Sequence, residues 1–507
     1  MSPLLAENSV QNSDPSPVLL DSLWQPIWSK NPVLKELMGG WGEKTVYDYT
    51  ASFLTPYDGV VKERQEEWLA VFVELLEVRL GKDVAQAVAQ QLRTLPLVST
   101  ADHHAPLDEA YWVNTNLLHS LAQEQAGNKY CVALSFASIS LNTALGYPRG
   151  LLMHDEKKND SEEAPRYRFY PDDKTLKLSY FGDKEKMSTV YGFRPFGVQE
   201  FERLLAAIQL KTKEGGISPE HAAQLTTWCE TLFLDPELLS QKDYASQITV
   251  LNYKLWPQFF APATQSEVPR VVHLEIETLV GELLKRVHFK NPGSPIYKLL
   301  FNPEGRAAFV EAFEGIHGAF CAHENDGTYF FWGLDDKGHR VRLFLKEDCL
   351  HSENKDICIS LTPEAFSEAL SSGKIFPSMA LCYVMMAFYY RLRCIGGSSQ
   401  IKDLAETKNA WMKVLKVLSF DEEAEAISGL PTEDLVGSMA LSTIHIPSRG
   451  RVLPTGIDLL LSSQKKSIED YKKCAQNTTL NAALSLYLKD LYNDYCREVP
   501  FPLQDLD

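Results

Sequence analysis

Apolar positions along the chain change their spacing several times, and each change marks an element. Between Glu63 and Thr94, residues Trp68, Val71, Leu75 and Val78 recur at helical intervals among charged positions. That spacing predicts a long helix, interrupted at Gly81. Leu95–Thr100 is a short apolar run that predicts a strand, and Pro106–Gln125 returns to a helical pattern. Asp108 and Glu109 fall in its first turn, where the helix dipole favours negative charge. Tyr130–Ala137, rich in small and β-favouring residues, predicts a second buried strand. Strand, helix and strand together form the minimal βαβ unit.

Beyond this unit the pattern becomes mainly helical. Tyr167–Tyr170 and Leu176–Tyr180, split by Pro171-Asp172-Asp173-Lys174, predict a hairpin. Residues 198–322 read as helical, most clearly over Glu200–Leu210, His221–Phe233 and Glu275–Val287. Thr328–Leu334 and Val341–Leu345 predict a second hairpin around Asp335–Gly338, where glycine can supply a positive φ. Pro363–Ser371, Ser378–Arg393, Leu404–Leu418 and Leu480–Tyr495 predict further helices. The expected fold is α/β, a Rossmann-like parallel-sheet core with a large mainly helical insert, helix-rich overall. Six regions follow: a disordered tail (1–20), an N-terminal helical region (21–94), the first part of the core (95–155), a hairpin and helical insert (156–304), the second part of the core (305–400) and a C-terminal helical region (401–507).

Composition narrows the function classes. The 507 residues carry 67 acidic and 50 basic side chains, a net charge of −17, which opposes a broad phosphate-binding face. No nucleic-acid partner is expected. Nine scattered cysteines make no Cys-x-x-Cys pair, which argues against a disulfide scaffold or zinc ribbon. No apolar run reaches the ~20 residues that span a bilayer, so no membrane association is expected and a cytoplasmic location is the reading. The oligomeric state is left open.

Reactive side chains concentrate at one strand end. Asp102, His103 and His104 follow the Leu95–Thr100 run, and chemistry in α/β proteins gathers where a strand meets the next helix. Adjacent His103 and His104 would point apart, so one or two of the three belong to one site. Ser138, Ser140 and Asn142 would line the neighbouring strand end, with His119 nearby in sequence. Gly396, Gly397, Ser398 and Gln400 form a glycine-rich turn able to offer backbone N–H groups to an anion. Arg149 and Arg449 lie in basic loops suited to a carboxylate or phosphate. His317, flanked by Gly315 and Gly318, and His323 lie six apart, without a His-Glu-x-x-His pattern, and read as a loop before the hairpin. Cys131 reads as core; Arg391 and Arg393 stand near Cys394 in sequence, a setting that can lower a thiol pKa, but no catalytic role is assigned to it.

Two of these segments resemble one family. Val98 to Leu107, followed by Tyr111 and an apolar helix, resembles the strand–loop–helix of the bacillithiol cysteine-adding enzymes. Phe376-Pro377-Ser378 with Gly396 to Gln400 resembles a later segment of the same family. Ala101 and Ala105 stand where that family has glycines. The resemblance implies a Rossmann-like core related to nucleotidyl-transferring ligases. Asp-His-His also labels a phosphoesterase family, but the Asp-x-Asp pair which that family requires upstream is missing here.

The expected function is a small-molecule enzyme of a condensing, ligase-like kind, joining an amine to an anionic substrate. One imidazole would act as base, assisted by Asp102. A nucleotide or a divalent metal are the cofactors left open. The alternatives are a metal-dependent hydrolase or oxygenase using Asp102, His103 and His104, and a non-catalytic, acidic, helix-rich interaction protein on a degenerate enzyme core.

Overall fold

The computed structural model describes residues 17–55, 59–143, 146–156, 175–322, 326–353, 356–446 and 450–496. Four strands form an all-parallel sheet: β1 (Leu97–Ser99), β2 (Tyr130–Ser135), β3 (Arg270–Glu275) and β4 (Arg393–Ile395). Their spatial order is β4-β1-β2-β3. The chain therefore runs outward from β1 to β3, then crosses back to lay β4 on the other side of β1. β1 and β4 are buried along their whole length, and β2 and β3 at all but the first residue. That matches the near-continuous apolar runs expected when both faces of a parallel sheet are covered.

Helix α1 (Ala110–Gln125) links β1 to β2. Every residue from Trp112 to Gln123 is buried, so this helix lies inside the molecule. Helix α2 (Tyr244–Leu255) precedes β3, α3 (Ile276–Arg286) follows it, and α4 (Ser398–Val417) follows β4. The long N-terminal pattern folds as two helices, Lys62–Leu80 and Lys82–Thr94, separated by Gly81 at φ 83°. A five-stranded antiparallel sheet runs Cys358–Ser360, Cys349–Ser352, Arg340–Lys346, Phe331–Leu334, Ile375–Pro377 in spatial order. Its Phe331–Leu334 and Arg340–Lys346 strands make the expected hairpin, with Gly338 at φ 75° in the turn.

The fold differs from the sequence reading in several places. The segment assigned to a helical insert contains β3, a strand of the central sheet. His273 and Glu275 interrupt its apolar run and hide it from a pattern search. Ser378–Arg393 is not one helix. An α-helical turn over Met379–Tyr383 passes into a π-helix over Val384–Tyr389, and β4 follows. Arg391 breaks the run at φ 56°, held by the Gly59 carbonyl and the Glu423 carboxylate. Thr175–Ser179 pairs with Gly150–His154; the expected partner 167–170 lies outside the described residues. A helix over Pro17–Lys30 begins inside the segment read as a tail, and Leu480–Tyr495 divides into Leu480–Ser485 and Leu488–Tyr495. Among the described residues no helix is long and apolar enough to cross a membrane.

Candidate functional site

The loop after β1 is stitched to both neighbouring strands. Thr100 donates its N–H to the Ile395 carbonyl of β4 (3.0 Å). Phe136 and His104 exchange backbone bonds with it on the β2 side, Phe136 N–H to the Asp102 carbonyl at 3.1 Å and His104 N–H to the Phe136 carbonyl at 2.8 Å. This pleat turns Asp102 and His104 inward and leaves His103 half-buried, its ring 5.3 Å from that of Trp112.

Asp102 is fully buried. Its Oδ2 accepts from Asn116 Nδ2 (2.7 Å) and from His273 Nε2 (2.8 Å). Asn252 fixes the His273 tautomer. Its Oδ1 takes the Leu107 N–H at 2.8 Å and its Nδ2 donates to the Ala105 carbonyl at 2.8 Å, so the amide cannot be turned round. Nδ2 also lies 2.5 Å from His273 Nδ1, which must therefore accept, leaving the ring proton on Nε2 facing Asp102. His273 is thus neutral. His104 is held on both sides of its ring: Nε2 donates to the Ala245 carbonyl (2.8 Å) and Nδ1 lies 2.8 Å from Ser135 Oγ, a hydroxyl that can accept or donate. Burial lowers its pKa to about 4. Behind it, Arg79 forms a bidentate, buried ion pair with Glu275 at the end of β3. Burial works to raise the Glu275 pKa, but the Arg79 guanidinium holds it below the usual value.

Around Asp102 runs a polar seam. Asp102 Oδ1, Trp112 Nε1, Thr115 Oγ1, Asn116 Oδ1 and His119 Nδ1 are buried without a hydrogen-bond partner among the described residues. The four helical residues sit at i, i+3, i+4 and i+7 of α1, on one face. Seams of this kind ordinarily hold internal water. Burial lowers the His119 pKa to about 4, against the pull of Asp102.

The glycine turn meets this loop from β4. Gln400 Nε2 donates to Thr100 Oγ1 at 2.6 Å, joining residues 300 positions apart. The Gly396 N–H donates to the Asp434 carbonyl (2.9 Å), so it is not available to a ligand. Gly397 is half-buried and opens α4, a 20-residue helix with no side-chain cap. The Tyr111 hydroxyl occupies the place where a Cβ on Gly397 or Gly437 would stand, which explains glycine at both positions. Ser398 is buried; its Oγ accepts from Ser438 Oγ (3.3 Å) and its carbonyl from Asn31 (2.7 Å).

One exposed dyad adjoins the turn. His317 Nδ1 lies 2.7 Å from Asp403 Oδ2. Asp403 is buried one turn beyond Gln400 on α4, whereas the His317 side chain is 69% exposed. The hydrogen bond to Asp403 raises the His317 pKa above its ordinary value. Asp403 also acts electrostatically on Tyr383, which is buried and hydrogen-bonded to Thr100. Thr100, Gln400, Tyr383, Asp403 and His317 thus form a polar line from the end of β1 to the surface. Sequence reasoning had His317 but not its partner, which lies 86 positions later.

The remaining candidates lie apart from this line. Arg149 pairs with Asp183 (2.7 Å) and the Tyr147 hydroxyl (3.0 Å) at the Gly150–His154 strand. Asn142 is exposed on the loop after β2. Arg449, His323 and Glu324 lie outside the described residues. Burial pushes the thiols of Cys131 and Cys394 up to about 12. Arg391 and Arg393, near Cys394 in sequence, are engaged by Glu423 and Asp434. Among the described residues no three His, Cys, Asp or Glu side chains are grouped to hold a metal ion. Asp102 and His104 direct their hydrogen bonds into the protein instead.

No protein-family model matches the chain, and a search of curated proteins found no match.

Proposed function

We propose that the chain is a small-molecule enzyme of a condensing, ligase-like kind, with a Rossmann-like core and its chemistry in the crevice between the carboxyl ends of β1 and β4. The observation that carries this reading is the reversal of strand order between those two strands. In open α/β sheets the loops diverge at such a point, and ligands bind in the crevice outside the strand ends. The uncapped start of α4 at that edge would favour an anionic group, a phosphate or carboxylate. His317, oriented by Asp403, is the exposed imidazole that would take the proton from an attacking amine. Half-buried His103 follows β1, its ring against Trp112, while Asp102 positions the loop through Asn116 and His273. The inward-facing bonds of Asp102 and His104 favour one competing reading, a non-catalytic interaction protein on a core of this kind.

Thermal melting with nucleotides and amino acids at millimolar concentration tests the proposal. At least one phosphate-bearing compound should raise Tm. Ser399→Asp, an exposed change in the first turn of α4, should abolish that shift without unfolding the protein. If no nucleotide and no amino acid moves Tm, the enzyme reading falls and the interaction reading stands.

A further inference from the structure

Beyond the outer edge of β4 lies a cavity of about 750 Å³, within the range that holds small organic ligands. Its lining includes Glu36, Trp41, Tyr49, Arg393, Glu433 and Asp434. The arginine at first suggests an anion site, but its donors are already engaged. Nε and Nη2 bind the Asp434 carboxylate at 2.7 and 2.8 Å. Nη1 is surrounded by the carbonyls of Ser52, Phe53 and Thr55 at 2.9 to 3.1 Å. Arg393 and Asp434 therefore cancel, and neither offers a free charge to the cavity.

Two carboxylates remain. Glu36 and Glu433 are exposed; Glu433 Oε2 accepts from the Thr432 N–H (2.9 Å) and hydroxyl (3.4 Å), neutral donors that leave its charge in place. Lys408, on whose charge Glu433 acts, points its ammonium at the carbonyls of Ser428 (3.2 Å) and Leu430 (2.8 Å). The cavity thus keeps a net negative charge. Half-buried Trp41 packs edge-on against Tyr49, ring centroids 5.4 Å apart, and presents an aromatic wall. A concave site with an aromatic wall and uncompensated carboxylates attracts an organic cation through charge, ring quadrupole and apolar contact together.

We infer that this cavity is a second small-molecule site, one that takes an organic ammonium or guanidinium compound with an apolar body. It is independent of the reaction proposed above, and it meets the glycine turn through the Asp434 carbonyl, which accepts the Gly396 N–H.

Three molecules of one shape and different charge test it on the full chain: n-butylammonium, n-butanol and n-butyrate. Binding is followed by calorimetry and by indole fluorescence, with Trp41→Leu identifying the reporter. Butylammonium should bind saturably, about tenfold tighter than butanol, and the preference should shrink as salt is added. The double variant Glu36→Gln/Glu433→Gln changes exposed side chains only and should weaken butylammonium by about tenfold while leaving butanol unchanged. The inference is overturned if butanol or butyrate binds as well as butylammonium, if the double variant keeps full affinity, or if butylammonium shows no saturable binding.

Discussion

Two aspartate–histidine pairs in this molecule have almost the same geometry and opposite settings. Asp102 Oδ2 lies 2.8 Å from His273 Nε2, and Asp403 Oδ2 lies 2.7 Å from His317 Nδ1. The first pair is sealed in the core, with Asn252 closing the far nitrogen of the ring. The second has a buried aspartate and an imidazole open to solvent. A carboxylate beside an imidazole is therefore not by itself a site for proton transfer. What the far side of the ring meets decides: an amide that fixes one neutral tautomer makes a brace, and solvent makes a proton carrier. The Asp-His-His letters drew attention to the brace, while the solvent-facing pair is held by Asp403 on α4, the helix that follows β4.

The largest expected effect separates the pairs by stability. Asp102→Ala should cost about 3–5 kcal/mol, because it leaves His273 and Asn116 buried without their acceptor. Asp403→Ala takes the acceptor from an imidazole that water can solvate in its place, and should cost under about 1 kcal/mol. Urea unfolding of both variants checks this; equal losses would erase the distinction.

Acid should expose the buried imidazoles next. His104 and His119 have pKa values lowered from 6.5 to about 4 by burial. The unfolded chain takes up these protons below pH 6.5 and the folded chain refuses them until about pH 4. The stability each contributes is complete above pH 6.5 and lost as pH falls through that window, about 3 kcal/mol apiece. Asp108 and Glu109, raised to about 8 by burial, act in the opposite sense: their contribution is full below their ordinary range and lost as pH rises toward 8. The histidine effect is therefore read as a difference. His119→Phe should lose less stability than the unmodified chain between pH 7 and 5, and parallel curves would refute the assignment.

A smaller effect tests the exposed pair. NMR titration should place the His317 pKa above 6.5, and Asp403→Asn should bring it down toward that value. Its stabilising contribution is complete below pH 6.5 and disappears as pH rises through the raised pKa, the reverse of His104. If His317 is the base, the acid limb of the rate profile moves to lower pH in Asp403→Asn. An unmoved His317 signal would make the dyad a passive surface contact. Smallest of all, Ser399→Asp should stabilise the unliganded protein by about 0.3–1 kcal/mol through the α4 dipole, as read by Tm; a loss of stability would mean that this helix start is not free to accept negative charge.

Local pattern carried far where each element was uniform. The β1–α1–β2 unit, the break at Gly81 and the turn at Gly338 were legible because period and turn chemistry are properties of adjacent residues. β3 was not legible. His273 and Glu275 are tolerable in a buried strand only because Asp102 and Arg79 reach them from 171 and 196 positions away. The Ser378–Arg393 run was misread because an unbroken apolar stretch has no period, so nothing in it marks the π-helix or the backbone turn at Arg391.

By itself, then, the sequence determined a mixed α/β chain, the strand end where Asp102, His103 and His104 stand, and the glycine turn that would face them. Tertiary structure alone decided which of those groups are braces and which are exposed. It set Asn252 and Asn116 around Asp102 and His273, Asp403 beside His317, and Asp434 across Arg393. The reason is physical: protonation, charge and access depend on what packs against a side chain, and here the decisive neighbours come from distant segments that periodicity cannot register.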